Sequence, residues 1–190
     1  MLVVSPKAGE PTPEPTPTAS LLPYNRPDVS EGEKANTVAG PDLDYLASRN
    51  LLIPVMGVKA AQLRDSFDQM RSAGRRHEAI DIMAPQATPV LAVTDGVVIR
   101  LFQSDKGGTT LYQLDPSGRY DYYYAHLMRY ADGVVEGKEL KRGDVIAYVG
   151  DTGDAGPGNF HLHFAISKLL SPRKWSGGEA INPYPLLTGK

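Results

Sequence analysis

Cysteine is absent from this 190-residue chain. That excludes disulfides, thiolate metal sites and a cysteine nucleophile, and leaves the redox compartment open. Any transition-metal site must then be built from imidazole and carboxylate donors. An excess of charge of either sign is missing too. Twenty Lys and Arg stand against 22 Asp and Glu, a formal net charge of -2, so no basic field points to nucleic acid or an anionic membrane surface. No apolar run approaches the roughly 18 residues of a membrane-spanning helix. The opening Met1-Leu2-Val3-Val4-Ser5-Pro6 lacks a charged n-region and a long apolar stretch, so an export signal, if used, is expected to lie outside this sequence. Histidine is scarce, with only four in the chain.

What is present favours strands and turns. Glycine (19), proline (16) and tyrosine (10) outweigh the strong helix formers that a bundle would need. Residues 7–20 alternate Pro with Thr, Glu and Ala, which cannot build a core and favours extended polyproline II. Residues 1–40 therefore read as a disordered Pro/Thr-rich linker and 41–190 as one domain. Pro41–Asn50 reads as a short helix, with early acids and a late Arg matching the helix dipole. Leu51–Val55 reads as a first strand; Val58–Gly74 fits either a helix or a strand. From His77 onward the chain consists of short β-branched runs, including Val90–Val93, Val97–Leu101, Thr109–Leu114, Tyr120–Leu127 and Val145–Val149. Asp95-Gly96, Asp105–Gly108 and Asp115–Gly118 punctuate them, the first as a hairpin signal. The expected fold is mainly β, an antiparallel sheet core with a substrate groove and few short helices.

The chemistry concentrates in the histidines. In Phe160-His161-Leu162-His163-Phe164 the two imidazoles share one strand face and the apolar residues the other. His77 and Asp81 are four apart. A metal-binding helix at that spacing is disfavoured, because the segment is hemmed between Gly74 and Pro85 and Ile80 and Ile82 alternate as in a strand. On an extended chain the two still share a face. His126 lies in a further strand. An unpaired imidazole in an apolar strand is costly, so convergence of all four histidines around zinc is expected, with open space for water as in catalytic sites.

Several motifs resemble the lysostaphin-like, LytM-type zinc metallopeptidases of bacterial cell walls. Arg76-His77-Glu78-Ala79-Ile80-Asp81-Ile82 resembles their H-x-G-x-D signature, Tyr124-Ala125-His126-Leu127 their Y-x-H-L, and His161-Leu162-His163-Phe164 their H-L-H-F. Leu140–Gly153 is similar to their V-x-x-G-x-x-I-x-x-V-G-x-T-G element and Ile181-Asn182-Pro183 to their I-N-P close. The resemblance spans about residues 52–187. Ala79 replaces a usual Gly, the loop Gly153–Phe160 departs from G-x-S-x-G-x, and Ala165 stands where Glu is common.

The resemblance implies a lysostaphin-like peptidase fold with one Zn2+ per chain, held by His77, Asp81 and His163. It implies His161 as general base and His126 as its partner in proton transfer or oxyanion stabilisation. Tyr124, Asn159 and Gly156 are candidate groove residues, although ordinary packing suits Tyr124 equally well. The implied activity is hydrolysis of peptidoglycan stem-peptide cross-links, at D-Ala-diaminopimelate or glycine-containing bonds, in the periplasm or outside the cell. No nucleic acid is expected as a partner. The alternative is a non-hydrolytic wall-binding or amidase-activating module of the same fold.

Overall fold

The computed structural model describes residues 40–71, 74–171 and 174–189. The linker expected over 1–40 therefore lies, apart from Gly40, outside the described residues. A helix α1 (Gly40–Ser48) leads into the strands β1 (Ile80–Met83), β2 (Pro89–Leu91), β3 (Gly96–Ser104), β4 (Gly108–Leu114) and β5 (Tyr120–Tyr130). Then follow β6 (Glu139–Leu140), β7 (Val145–Val149), β8 (His161–Lys168), β9 (Glu179–Ile181) and a short helix α2 (Pro183–Thr188). The expected mainly-β architecture is what forms. The sheet runs β1-β8-β5-β4-β3-β6, with β9 on β8 and the β2–β7 pair joined through the second half of β5. Every pairing is antiparallel.

Alternation along β8 separates two faces. Leu162, Phe164 and Ile166 point into the core beside Ile80, Ile82, Tyr122 and Tyr124, all buried. His161, His163, Ala165 and Ser167 take the other face. Direct cross-strand partners share a face, so Asp81 joins His163, and Ala125, Tyr123 and Asp121 join His163, Ala165 and Ser167. Tyr112 and Arg100 extend this face onto β4 and β3. Trp175 packs edge-on against Tyr112 with centroids 4.9 Å apart, on the β3–β4 side of this face.

The helix at 41–50 forms essentially where expected. It is fastened to the core by the buried Leu46 and by Asp42, which accepts from the Tyr120 hydroxyl at 2.6 Å and Lys168 Nζ at 3.0 Å. The I-N-P close has a physical reason. Asn182 caps α2 by accepting from the Tyr184 amide at 2.9 Å, Pro183 opens the helix, and Gly189 ends it in the left-handed region.

Two local expectations fail. Leu51–Val55 is not a strand; only Val55 bridges to Val90, and Leu52 donates its amide to Val93. Asp95-Gly96 does not turn a hairpin, because β2 pairs with β7 while β3 pairs with β4 and β6. Asp95 instead accepts from the Arg142 amide at 2.8 Å and faces Lys141, tying the β6–β7 loop down.

Candidate metal centre

The site begins with two backbone irregularities. His77 precedes β1, and Glu78 adopts φ 56, a left-handed turn that aims the His77 ring toward the Asp81 carboxylate. The two meet through that turn rather than along an extended strand. His126 sits at φ 58 within β5, where the pairing with β4 and β7 slips register. Histidine tolerates this region better than most residues. The bulge turns His126 onto the groove face although Tyr124, two residues earlier, points into the core.

His77, Asp81 and His163 converge. His77 Nε2 lies 3.0 Å from both His163 Nδ1 and Asp81 Oδ1, and His163 Nδ1 lies 3.2 Å from the same Oδ1. A tetrahedral zinc with bonds of about 2.0–2.1 Å has donor–donor edges of about 3.3 Å, so this triangle fits such an ion with small relaxation. Only one proton can lie between two imidazole nitrogens at 3.0 Å, and here a carboxylate closes the third side. Such a lone-pair cluster calls for a cation. The guanidinium of Arg71 supplies one: its Nη2 sits 2.6 Å from His77 Nε2 and contacts Asp81 Oδ2. The donor set therefore suits a zinc ion in both geometry and charge.

Hydrogen bonds fix the tautomers. A carbonyl can only accept, so a ring nitrogen facing one must carry the proton. His77 Nδ1 donates to Ser66 O at 3.0 Å, His126 Nδ1 to Thr152 O at 2.8 Å, and His161 Nδ1 to Asn159 O at 2.8 Å. All three therefore present an Nε2 lone pair, the arrangement in which an outer carbonyl orients and polarises an imidazole. His161 Nε2 is 3.8 Å from Asp81 Oδ1, and the His126 and His161 rings stand 4.9 Å apart. Ser66 also steadies the carboxylate strand, its Oγ accepting from the Asp81 amide at 3.3 Å.

The Thr152 carbonyl is held by a dense junction of loops. Thr152 Oγ1 donates to Leu127 O at 2.9 Å and accepts from the Thr109 amide at 3.0 Å, while His126 N donates to Gly107 O at 2.8 Å. Gly108 and Gly153 meet back to back here, both at positive φ, and a Cβ on either would run into the other loop's backbone.

Electrostatics keep the site ready for a cation. Burial alone would raise the Asp81 carboxyl, but the neighbouring His163 and His77 side chains outweigh it and hold it far below the usual carboxylate range. Burial lowers His163, only partly offset by Asp81, and likewise lowers His126 against the bond to Thr152. Both imidazoles thus stay neutral at pH 7.

The cluster opens into a cleft of about 470 Å³ whose wall includes His77, His126, His163, Tyr123, Gly107 and Asp154. The expected groove residues need correction. Tyr124 is fully buried, donating to Gln113 Oε1 at 2.6 Å and accepting from the Val93 amide at 3.1 Å, so it is a core residue. Tyr123 takes its place, its ring 6.0 Å from that of His163. Gly156 and Asn159 are not on the cleft wall; Asp154 represents their loop there, and Asn159 acts through its carbonyl on His161. The roles of Ser66, Thr152 and Arg71 are not legible in the sequence. The first two act through backbone oxygens or a single hydroxyl, which leave no residue-type signature.

The chain matches the pattern of Peptidase family M23 over residues 75–183. It is 35% identical over 131 residues to the L-Ala--D-Glu endopeptidase of Bacillus subtilis (strain 168), covering 65% of this chain and 39% of that protein. It is 40% identical over 113 residues to the DD-carboxypeptidase/endopeptidase Mpg of Neisseria meningitidis serogroup B, covering 57% and 22%. The match thus spans less than half the length of either relative. Among solved structures, a putative glycyl-glycine endopeptidase lytM from Ruminococcus gnavus superposes with a TM-score of 0.60 at 31% identity, covering 77% of this chain and 63% of that one.

Proposed function

The chain belongs to peptidase family M23, and from that premise we propose that it is a zinc metalloendopeptidase hydrolysing peptide cross-links of bacterial peptidoglycan in the cell envelope. The bonds in question are D-Ala-diaminopimelate or glycine-containing ones. The observation that carries this reading is the triangle of His77 Nε2, Asp81 Oδ1 and His163 Nδ1 beside two further imidazoles with free Nε2 lone pairs. The relatives, named as an L-Ala--D-Glu endopeptidase and a DD-carboxypeptidase/endopeptidase, support it.

His77, Asp81 and His163 are the metal-holding residues in this proposal. A zinc ion bound there supplies Lewis acidity, which polarises the scissile carbonyl and acidifies a water. The protein's own groups do the rest. His161 Nε2 takes the proton from the attacking water. Its Nδ1–H, held by Asn159 O, keeps the lone pair in place and stabilises the imidazolium that results. His126 is built alike on Thr152 O and is kept neutral by burial, so it serves as the second proton carrier. Its Nε2 takes the remaining proton of the attacking water and delivers it to the leaving amine, and His161 then releases its own proton to the departing amine. A resting role as oxyanion donor does not suit it, because its one N–H is already committed to Thr152. Tyr123 walls the cleft where the substrate backbone would pass.

The experiment is digestion of purified cross-linked muropeptides of several chemotypes, with and without chelator, with mass spectrometry of the products. Chelator-sensitive cleavage of a cross-link is expected. Stoichiometric zinc without cleavage of any chemotype would favour the alternative, a non-hydrolytic wall-binding or amidase-activating module.

A further inference from the structure

The cleft has a charge that the chain as a whole does not. The protein carries a formal net charge of -2, yet the wall of the cleft holds Arg71, Arg75, Arg76 and Lys106 against the single acid Asp154. These cations come from two unrelated places, the segment before β1 and the β3–β4 turn, so their convergence is a property of the fold. Two of them are engaged. Arg76 pairs with Asp68 at 3.0 Å, and Arg71 lies on His77 and Asp81. Arg75 and Lys106 have no ion-pair partner among the described residues and flank the histidines from opposite loops.

A cleft lined by one sign of charge concentrates ligands of the other. A glycine bridge is neutral along its length and gains nothing from such a wall. A stem peptide that bears free carboxylates beside the scissile bond gains one charge-assisted contact for each cation it reaches. We propose that this cleft selects carboxylate-bearing peptides, with Arg75 and Lys106 as the specificity-determining residues, over neutral glycine bridges and over stems whose carboxylates are amidated. The inference rests on the hydrolase reading above and narrows its substrate class.

The test uses the zinc-loaded chain and three soluble substrates: a cross-linked stem peptide with free carboxylates, the same peptide amidated, and pentaglycine. An exposed ion pair is worth at most about fivefold in affinity, so two should give the free acid about a tenfold advantage in kcat/KM, expressed mainly in KM. The double variant Arg75→Gln/Lys106→Gln should reduce that advantage to about twofold while leaving turnover of the amidated peptide unchanged, which also reports that the variant is folded. Raising salt from about 0.05 to about 0.5 M should erode the preference in the wild type and hardly alter it in the variant. Equal rates on acid and amide, pentaglycine as the best substrate, or a variant that loses both peptides in parallel would each overturn the charge selection and leave the hydrolase reading standing. No cleavage of any substrate would overturn both.

Discussion

Two aspartates on the same face of one sheet meet opposite fates. Asp81 on β1 and Asp121 on β5 flank β8 from its two sides, opposite His163 and, four residues further on, Ser167. Asp81 has two imidazoles and a guanidinium around it, and its carboxyl is held far down despite burial. Asp121 lies at the remote end, 2% exposed, and burial pushes it up to about 7 against the bond to Ser167, with Oδ1 lacking a hydrogen-bond partner among the described residues. Asp121 is the more deeply buried of the two, and the company each keeps separates them further. A carboxylate that shares its space with imidazole lone pairs is suited to hold a metal, whereas one buried without a counter-charge is a stability liability.

The largest effect should come from the partnered end. Asp81→Asn should weaken zinc binding by more than about 100-fold, since a neutral amide neither balances the metal nor replaces the charge. Equilibrium competition with a chromogenic chelator measures this. Asp121→Asn should leave zinc affinity alone and change stability instead. The folded Asp121 value lies above the unfolded one, so the native state binds the extra proton. Its contribution is whole below about pH 4 and is lost as the pH climbs through about 7. The loss at pH 8 is on the order of 2–4 kcal/mol. Denaturant titrations of the metal-free protein should therefore show wild-type stability falling between these pH values, and Asp121→Asn losing the slope and gaining at pH 8. Asp81 has the reverse sign: it stabilises the metal-free fold above about pH 4 and loses this only in stronger acid.

A smaller effect is expected at Arg71, the cation on the partnered carboxylate. A metal arriving at His77 and Asp81 must displace that guanidinium, so Arg71→Gln should tighten zinc binding several-fold while lowering the stability of the metal-free protein. Unchanged affinity by calorimetry would show that Arg71 does not compete for the donors.

The same contrast runs through what the sequence revealed. The alternation in His161-Leu162-His163 and the short β-branched runs were readable because period-two burial is local. The pairing of His77 with Asp81 was readable from spacing, although it is achieved by a turn at Glu78. Counting by twos then failed at His126, where the bulge at φ 58 reverses the facing and brings Tyr123, not Tyr124, to the cleft. Asp95-Gly96 failed for another reason: a turn dipeptide shows where the chain bends but not which strands it joins. The carbonyls of Ser66, Thr152 and Asn159, which decide what each imidazole can do, carry no side-chain signal at all.

The proposed division of labour between His163 and His161 meets its sharpest test in zinc content and muropeptide turnover, measured side by side on the wild type, His163→Ala and His161→Ala. The expected result is stoichiometric zinc and turnover in the wild type, neither in His163→Ala, and full zinc with turnover reduced about 10²- to 10⁴-fold in His161→Ala. Wild-type turnover by His161→Ala, or undiminished zinc in His163→Ala, would contradict it.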